Sequence, residues 1–219
     1  MPKYISLNDQ VAQYVEDHRY DTGDALLAEL REQTLAMGDI SGMQISPGQG
    51  AFMSILVAAI GAKTAVEVGT FTGYSAVCTA RALPAPPDGK LHCFDISEPF
   101  TNIARQFWKR AGLSERIELH LGPAADMLPR HCPDRIDFAF IDADKTGYDG
   151  YYEFLLPRMR TGGLMVFDNM LRDGQVVDES KDDVSINAIR ALNRKLADDG
   201  RVESVLVEVA DGLNICRAK

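Results

Sequence analysis

Two apolar stretches of the sequence end in side chains that could bind a metal ion. The first, IDFAFID (136–142), ends at Asp142, and the second, GLMVFD (163–168), ends at Asp168 and is followed by Asn169. If both stretches form neighbouring parallel strands, these three side chains lie together at one edge of the sheet. Two carboxylates and an amide oxygen are hard ligands, which suit Mg²⁺, Ca²⁺ or Mn²⁺ better than zinc or copper. The remaining coordination positions would be left for water or for a bidentate diol.

Lys145 follows Asp142 by three residues and could act as a base. A nearby divalent cation would disfavour its ammonium form, so that the neutral amine could accept a proton. Asp144 acts in the opposite direction, and the sequence does not rank the two effects. An exposed ion pair between Lys145 and Asp144 is the alternative interpretation, because such pairs are abundant in loops.

A glycine-containing loop, AVEVGTFTGYS (65–75), follows the first predicted strand and begins a helix. Its spacing, G-x-x-x-G, differs from the G-x-G-x-x-G spacing of dinucleotide sites. Glu67 would repel a pyrophosphate but suits a cofactor that carries an ammonium and a sulfonium group. Asp95 ends the second predicted strand, 26 residues after Gly69, where it could accept hydrogen bonds from ribose hydroxyls. These features indicate an adenosyl cofactor without phosphates; alternatively, the glycines only turn the chain and Asp95 caps the next helix.

The order of elements predicts the scaffold that positions these residues. Two helices are predicted within residues 8–38, and a third, 51–60, has Pro47 suited to its first turn. After Gly61, β-rich runs alternate with helices. The predicted strands are 64–68, 90–95, 116–121, 136–142, 163–168, 202–209 and 212–218, and the predicted helices lie near 73–83, 98–111, 123–130, 147–160 and 183–198.

Near-continuous apolar strands separated by helices are typical of a parallel sheet covered on both faces. The last two strands, joined by a turn at 210–212, must add an antiparallel strand. We therefore predict a Rossmann-like, doubly wound α/β fold, with a mostly parallel seven-stranded sheet, a C-terminal antiparallel hairpin and extra N-terminal helices. Residues 1–219 are predicted to form one domain, in which residues 1–60 cover the site and residues 61–219 form the α/β core.

The composition restricts partners and location. A net charge of −9 argues against nucleic acid and anionic membranes as partners, since both require a basic face. No apolar run approaches the length of a membrane span, and residues 1–20 are too polar for a signal peptide. Four scattered cysteines without C-x-x-C spacing favour a reduced, cytoplasmic protein. The four histidines lie on different predicted elements, without the pair spacing typical of a metal site.

Nine segments together resemble a known family. They are MQISPGQG (43–50), EVGTFTGYSA (67–76), FDI (94–96), GPA (122–124), IDADK (141–145), Tyr148, GGL (162–164), FDNML (167–171) and DGLNICR (211–217). In this order they are similar to the metal-dependent class I O-methyltransferases of the caffeoyl-CoA and catechol type. Because Val205 stands where the mammalian catechol enzymes have a carboxylate, the resemblance leans towards the caffeoyl-CoA branch and its bacterial relatives.

The resemblance implies S-adenosylmethionine as the methyl donor and assigns roles to residues. Donor binding would involve Ile45 through its backbone, Glu67, Gly69, Thr70, Ser75, Asp95, Ala124 and Asp142. The metal, Mg²⁺ or else Ca²⁺ or Mn²⁺, would be held by Asp142, Asp168 and Asn169. The substrate would contact Asp142, Lys145 and Asp173. Lys145 and Asp142 would be the catalytic residues, with Lys145 as the base.

The implied activity is metal-dependent methylation of one hydroxyl of a vicinal diphenol, a catechol-like or hydroxycinnamoyl-type small molecule. The resemblance also implies a homodimer whose N-terminal helices cover the active site. Three alternatives stay open: an adenosyl-binding protein without activity, a nucleotide-dependent oxidoreductase, and a methyltransferase acting on nucleic acid. The acidic composition disfavours the last of these.

Overall fold

The computed structural model describes residues 8–219. The prediction that residues 1–20 are too polar for a signal peptide falls partly on residues 1–7, and these seven lie outside the described residues. Seven strands form one sheet: β1 (Thr64–Val68), β2 (Lys90–Asp95), β3 (Ile117–Leu121), β4 (Ile136–Ile141), β5 (Met159–Phe167), β6 (Val202–Val207) and β7 (Leu213–Ala218).

The strand order is β3-β2-β1-β4-β5-β7-β6. Strands β1 to β5 pair in parallel, whereas β7 runs antiparallel to both β5 and β6. This arrangement confirms the predicted fold class. From β1 the chain adds β2 and then β3 on one side of the sheet, and it then adds β4 and β5 on the other side of β1. The strand order therefore reverses between β1 and β4. Ligands of doubly wound sheets bind at such a reversal, beyond the carboxyl ends of the strands.

Eight α-helices and four short 3₁₀ segments accompany the sheet in the described part of the chain. The helices are α1 (Asp9–Asp17), α2 (Ala25–Leu35), α3 (Pro47–Ala59), α4 (Tyr74–Ala82), α5 (Glu98–Arg110), α6 (Ala124–His131), α7 (Tyr148–Leu155) and α8 (Val184–Asp198). The 3₁₀ segments are Gly38–Met43, Lys145–Gly147, Leu156–Arg158 and Gln175–Val177. Pro47 begins α3, as predicted, and the Ser46 side chain caps this helix by accepting a hydrogen bond from the Gln49 amide (3.1 Å).

Two apolar clusters cover the faces of the sheet. Helices α2 to α5 pack on one face, and α6 to α8 pack on the other. All six residues of β4 are buried, and five of them are apolar, as expected for a central strand covered on both faces. The exception, Asp137, pairs with Arg160 (2.7 Å). No helix among residues 8–219 is both long and apolar enough to cross a lipid bilayer.

The predicted helix at 147–160 was wrong at its C-terminal end. Helix α7 ends at Leu155, and the 3₁₀ segment that follows contains Pro157, which lacks the amide hydrogen needed to continue an α-helix. Strand β5 consequently begins at Met159, four residues earlier than predicted, and Met159 pairs with Ile136. The predicted turn at 210–212 is confirmed, since the Gly212 amide donates to the Val209 carbonyl (2.9 Å).

Candidate active site

The carboxyl ends of β1, β4 and β5 meet where the strand order reverses. The Asp142 amide donates to the Val68 carbonyl (2.8 Å), and the Asp168 amide donates to the Ile141 carbonyl (3.0 Å). These bonds continue the sheet pairing past the strand ends and hold both acidic residues at one edge. A cavity of about 1140 Å³ opens beside them. The sequence-predicted residues that line this cavity are Ile45, Gly69, Thr70, Asp95, Ala124, Asp142, Lys145, Asp168, Asn169 and Asp173.

Gly69 allows the glycine loop to pass very close to the tip of β4. Its backbone has a φ of +89°, a region that residues with a side chain rarely adopt. A Cβ atom at this position would lie 1.9 Å from the backbone oxygen of Asp142. Only glycine therefore fits, and the loop and Asp142 are held as one unit.

Glu67 in β1 and Ser75 in α4, two of the predicted donor-binding residues, do not line the cavity. Glu67 has no exposed surface, and its Oε2 atom has no hydrogen-bond partner among residues 8–219. Burial raises the pKa of Glu67 to about 8, although the hydroxyls of Ser75 and Thr70 act to lower it. Contact between Glu67 and a methyl donor stays a prediction.

Asp95, at the end of β2, fixes the glycine loop. Its Oδ2 accepts hydrogen bonds from the amides of Thr70 (2.8 Å) and Phe71 (2.9 Å), and its Oδ1 accepts one from the Ser97 amide (2.7 Å). The last of these bonds lies in the turn before α5, whose N-cap is Ser97, so Asp95 does not cap this helix as the alternative interpretation expected. Since a carboxylate offers about four lone-pair positions, one acceptor position is left towards the cavity.

Lys145 is bound on two sides within the cavity wall. Its Nζ lies 2.9 Å from Asp142 Oδ1 and 2.6 Å from the hydroxyl oxygen of Tyr148. The Tyr148 hydroxyl in turn donates to the backbone oxygen of Asp168 (3.2 Å). The alternative of an exposed Lys145–Asp144 ion pair is wrong, because the Lys145 side chain is only 11% exposed and Asp144 instead accepts from the Tyr151 hydroxyl (2.6 Å).

Asp168 is almost completely buried, with 3% of its surface exposed. Its Oδ2 accepts a hydrogen bond from the Gln49 side chain (2.8 Å), and its Oδ1 accepts one from the Asn169 amide (2.6 Å). Burial, followed by the nearby Asp142 carboxylate, raises the pKa of Asp168 to about 7, against the opposing effect of Gln49. The two carboxylates are therefore close enough to repel each other.

Asn169 and Asp173 are oriented by Asp211, in the turn before β7. The Asn169 Nδ2 donates to Asp211 Oδ2 (3.2 Å), and the Asp173 amide donates to Asp211 Oδ1 (2.6 Å). Both residues have positive φ angles, 56° and 53°, which Asn and Asp tolerate better than most residues. Because its Nδ2 is engaged, Asn169 retains its side-chain oxygen for another partner.

The N-terminal region forms one wall of the cavity. Arg31 donates to the Gln44 side-chain oxygen (3.1 Å) and to the Ile45 backbone oxygen (3.0 Å). The Gln44 amide donates to the hydroxyls of Thr34 (2.9 Å) and Thr72 (3.0 Å), and Thr72 belongs to the glycine loop. These bonds attach α2 and the segment at residues 44–45 to the loop, and they already use one lone pair of the Ile45 carbonyl.

The sequence patterns predict no active-site role for Gln49, Tyr148 or Asp211. The only sequence signal for Gln49 is its position as a polar residue in the first turn of a mostly apolar helix. The structure buries it (1% exposed), so its side chain requires a hydrogen-bond partner. Asp211 was assigned to a turn, which is correct but incomplete. Tyr148 was part of the resemblance, and its contact with Lys145 depends on how α7 packs.

Comparison with known proteins agrees with this arrangement. A sequence profile described as O-methyltransferase matches residues 16–219. The chain belongs to the O-methyltransferase family. A caffeoyl-CoA O-methyltransferase from Populus kitakamiensis is 36% identical to this O-methyltransferase over 227 residues, covering 98% of this chain and 96% of the relative.

Two solved O-methyltransferases have similar structures. The O-methyltransferase from Bacillus cereus, described in complex with SAH, is 31% identical, with a TM-score of 0.86 and coverage of 96% of this chain and 97% of that one. TomG from Streptomyces achromogenes, described as involved in tomaymycin synthesis and in complex with SAM, is 28% identical, with a TM-score of 0.84 and 96% coverage of each chain. The fold and the family of this O-methyltransferase thus agree with the prediction from its motifs.

Proposed function

We propose that this O-methyltransferase transfers a methyl group from S-adenosylmethionine to one hydroxyl of a vicinal diphenol, with a divalent cation at the tips of β4 and β5. The observation that carries this proposal is the buried carboxylate of Asp168 beside Asp142, in the same cavity as the glycine loop. Two carboxylates that repel each other are stabilised by a divalent cation between them. Mg²⁺ is the best candidate, because all the available ligands are oxygens.

The cavity fits a donor together with a small acceptor. Its volume of about 1140 Å³ lies above the roughly 300–1,000 Å³ of a typical pocket for one small-molecule ligand. The solved relatives described with SAH and SAM support the same donor for this chain. The remaining acceptor position of Asp95 would bind a ribose hydroxyl, and Gly69, Thr70 and Ala124 would contact the rest of the donor. The sulfonium of this donor supplies an electrophilic methyl group.

The residues at the strand tips fit a cation. Asp142 Oδ1 faces Lys145, which leaves Oδ2 as a ligand. Asp168 is held by Gln49, and the free side-chain oxygen of Asn169 completes three protein ligands. A bound divalent cation would hold both oxygens of a diol and lower the pKa of the reacting hydroxyl.

Lys145 is suited to accept the proton of that hydroxyl. A neutral amine has two N–H donors and one lone pair, and the two donors match its two partners, Asp142 and Tyr148. The lone pair is then directed away from both and is available to a substrate proton. Asp173, at the cavity rim, would contact the acceptor.

Orientation is expected to contribute more to the rate than the base does. Positioning two reactants contributes up to about 7–11 kcal/mol to lowering the barrier, whereas a general base contributes roughly 10²- to 10⁴-fold in rate. We therefore expect the loss of Asp142, which serves the metal and the substrate, to reduce activity more than the loss of Lys145. The homodimer, the cytoplasmic location and the single-domain organisation stay predictions.

The direct test is a methyl-transfer assay with a panel of catechols and hydroxycinnamoyl thioesters, S-adenosylmethionine and Mg²⁺, with and without EDTA. Turnover is expected to be abolished by EDTA and by Asp168→Asn, and reduced by Lys145→Met. The control is Asp126→Asn, an exposed residue of α6 outside the cavity wall, which should retain activity.

Three outcomes separate the proposal from its alternatives. Undiminished turnover in EDTA would exclude the cation. Binding of S-adenosylhomocysteine without turnover of any acceptor would favour a binding protein. Binding of NAD(P) without binding of S-adenosylhomocysteine would favour an oxidoreductase.

A further inference from the structure

Three potential metal ligands share one face of the sheet, away from the proposed active site. His92 on β2 pairs in register with Glu118 on β3, and His120 follows two residues later on β3. Residues that are paired in register, or two apart on one strand, project to the same face of a sheet. One donor atom from each of His92, Glu118 and His120 lies within 4.8 Å of the other two.

Two imidazole nitrogens in this group are buried without a hydrogen bond. Neither His92 Nδ1 nor His120 Nε2 has a partner among residues 8–219. His120 is only 9% exposed, and its Nε2 lies 3.6 Å from Glu118 Oε1, which is too long for a hydrogen bond. Leaving a buried polar atom unpaired costs about 1–3 kcal/mol, so two such atoms within this group require an explanation.

The surroundings keep both imidazoles in the form that binds metals. Burial lowers the pKa of His92 and of His120, and Lys90 acts in the same direction, while Glu118 opposes it. A lowered pKa favours the neutral imidazole, which is the form whose ring nitrogen can bind a metal ion. Lys90 Nζ lies 3.6 Å from Glu118 Oε2, so one carboxylate oxygen faces this lysine and the other faces His120.

We propose that His92, Glu118 and His120 form a second cation site, selective for zinc-like divalent ions rather than for Mg²⁺. Two imidazoles and a carboxylate are a common zinc ligand set, with water in the fourth position. The donor atoms of a tetrahedral zinc ion lie about 3.3 Å apart. The three donor atoms here lie within 4.8 Å of one another, so zinc binding would bring their side chains closer together. Glu118, which is exposed, is free to make most of this movement.

The site has a structural role, because it joins the edge strand β3 to β2. An ion that binds only the folded chain raises its stability in proportion to the logarithm of ion concentration over Kd.

The ring of His131, at the end of α6, stacks on His120 with ring centroids 4.5 Å apart and covers it from outside. On its other side His120 stacks on Phe94 (4.8 Å), a residue of the active-site wall. The histidines showed no metal-like spacing in the sequence because their ligand set is assembled from two paired strands.

The test uses the full chain, freed of any affinity tag and metal. Zn²⁺ titration by calorimetry should show one equivalent that persists in excess Mg²⁺, and Zn²⁺ should raise the Tm. Co²⁺ should give visible d–d absorption without thiolate charge-transfer bands, which would instead indicate the cysteines. His92→Gln, His120→Gln and Glu118→Gln should each weaken Zn²⁺ binding more than about tenfold, since even changes outside a ligand set cost 10- to 100-fold.

Two controls make the result specific. His131→Gln alters a ring that only stacks on the site, and Asp168→Asn alters the proposed Mg²⁺ site; both variants should retain Zn²⁺ affinity and the rise in Tm. If a histidine variant fails to fold, the exposed Glu118→Gln carries the test. The proposal is overturned if the unmodified chain binds no Zn²⁺, if the three ligand variants bind it as tightly as the unmodified chain, or if Asp168→Asn alone loses it.

Discussion

Gln49→Leu tests whether a residue outside the metal ligand set controls metal binding. The Gln49 side chain donates the 2.8 Å hydrogen bond to Asp168 Oδ2 and is itself 1% exposed. Leucine has a similar volume, so the change removes the donor without opening a large cavity. The buried carboxylate then keeps the hydrogen bond from the Asn169 amide.

The magnitude follows from the strength of the lost hydrogen bond. A hydrogen bond to a charged group contributes about 1.5–3 kcal/mol, and one pKa unit corresponds to about 1.36 kcal/mol. Because Gln49 lowers the pKa of Asp168, its removal should raise that pKa from about 7 by a further one to two units. The ionised fraction of Asp168 at pH 7 then falls from about one half to between roughly a tenth and a hundredth. Since only the ionised form binds the cation, Mg²⁺ affinity should fall about 5- to 50-fold.

The pH dependence separates this effect from general damage to the fold. At pH 8.5 most of the Asp168 carboxyl is ionised in the unmodified protein, and a substantial fraction is ionised in the variant. The deficit in Mg²⁺ affinity should therefore shrink to less than about fivefold. Calorimetric titration with Mg²⁺ at pH 7.0 and 8.5 measures both values.

Ser54→Ala is the matched control for this experiment. Ser54 is also a buried polar residue of α3, but its hydroxyl donates to the Cys78 backbone oxygen (3.0 Å), away from the cavity. This variant should lose some stability and keep its Mg²⁺ affinity at both pH values. The reasoning is refuted if folded Gln49→Leu binds Mg²⁺ as tightly as the unmodified protein at pH 7.0, or if its deficit does not change with pH.

Three further substitutions test other parts of the account. Gly69→Ala should lower the free energy of unfolding by more than the roughly 1–2 kcal/mol that a positive φ costs, because its Cβ would overlap the Asp142 oxygen; urea unfolding measures this. Glu67→Gln should stabilise the protein increasingly as pH rises from 4.5 to 8, by up to about 1.4 kcal/mol per pH unit, since the folded state of Glu67 retains a proton that the unfolded state releases. Tyr148→Phe should lower kcat by about tenfold with little change in donor KM, because Lys145 loses one of its two partners.

Each of these substitutions has a matched control. Gly61→Ala introduces a side chain at a φ of +59° with nothing within 4 Å, so it reports the backbone penalty alone, and an equal loss for both glycine variants would contradict the proposed overlap. Glu115→Gln, on the surface, should show no increase in stability with pH relative to the unmodified protein. Tyr152→Phe removes a hydroxyl that donates to Asp199 (2.8 Å), and if it lowers kcat as much as the Tyr148 variant does, the role of Tyr148 is not specific.

Much of the fold was predictable because its strands are short, apolar and regularly spaced. The pattern predicted β1 and β2 at their observed bounds and the antiparallel end of the sheet. It failed at residues 156–160, where a 3₁₀ segment leads straight into the strand and the pairing of β5 with β4 shifts register between Ile136 and Phe138.

The active site was partly predictable for a related reason. Asp142, Asp168 and Asn169 each follow a strand, so the topology alone brings them to one edge of the sheet. Gln49 was not predictable, because its contact with Asp168 joins residues 119 positions apart through the packing of α3 against the sheet. The complete burial of Glu67 likewise depends on tertiary packing.

A crystal grown with Mn²⁺, S-adenosylhomocysteine and a catechol tests the central claim most directly, because anomalous scattering locates the metal. The account predicts an anomalous peak bound by Asp142, Asp168 and Asn169, with both catechol oxygens on the same ion. A protein that binds the catechol with no peak at these three residues, or with manganese only at His92 and His120, would contradict it.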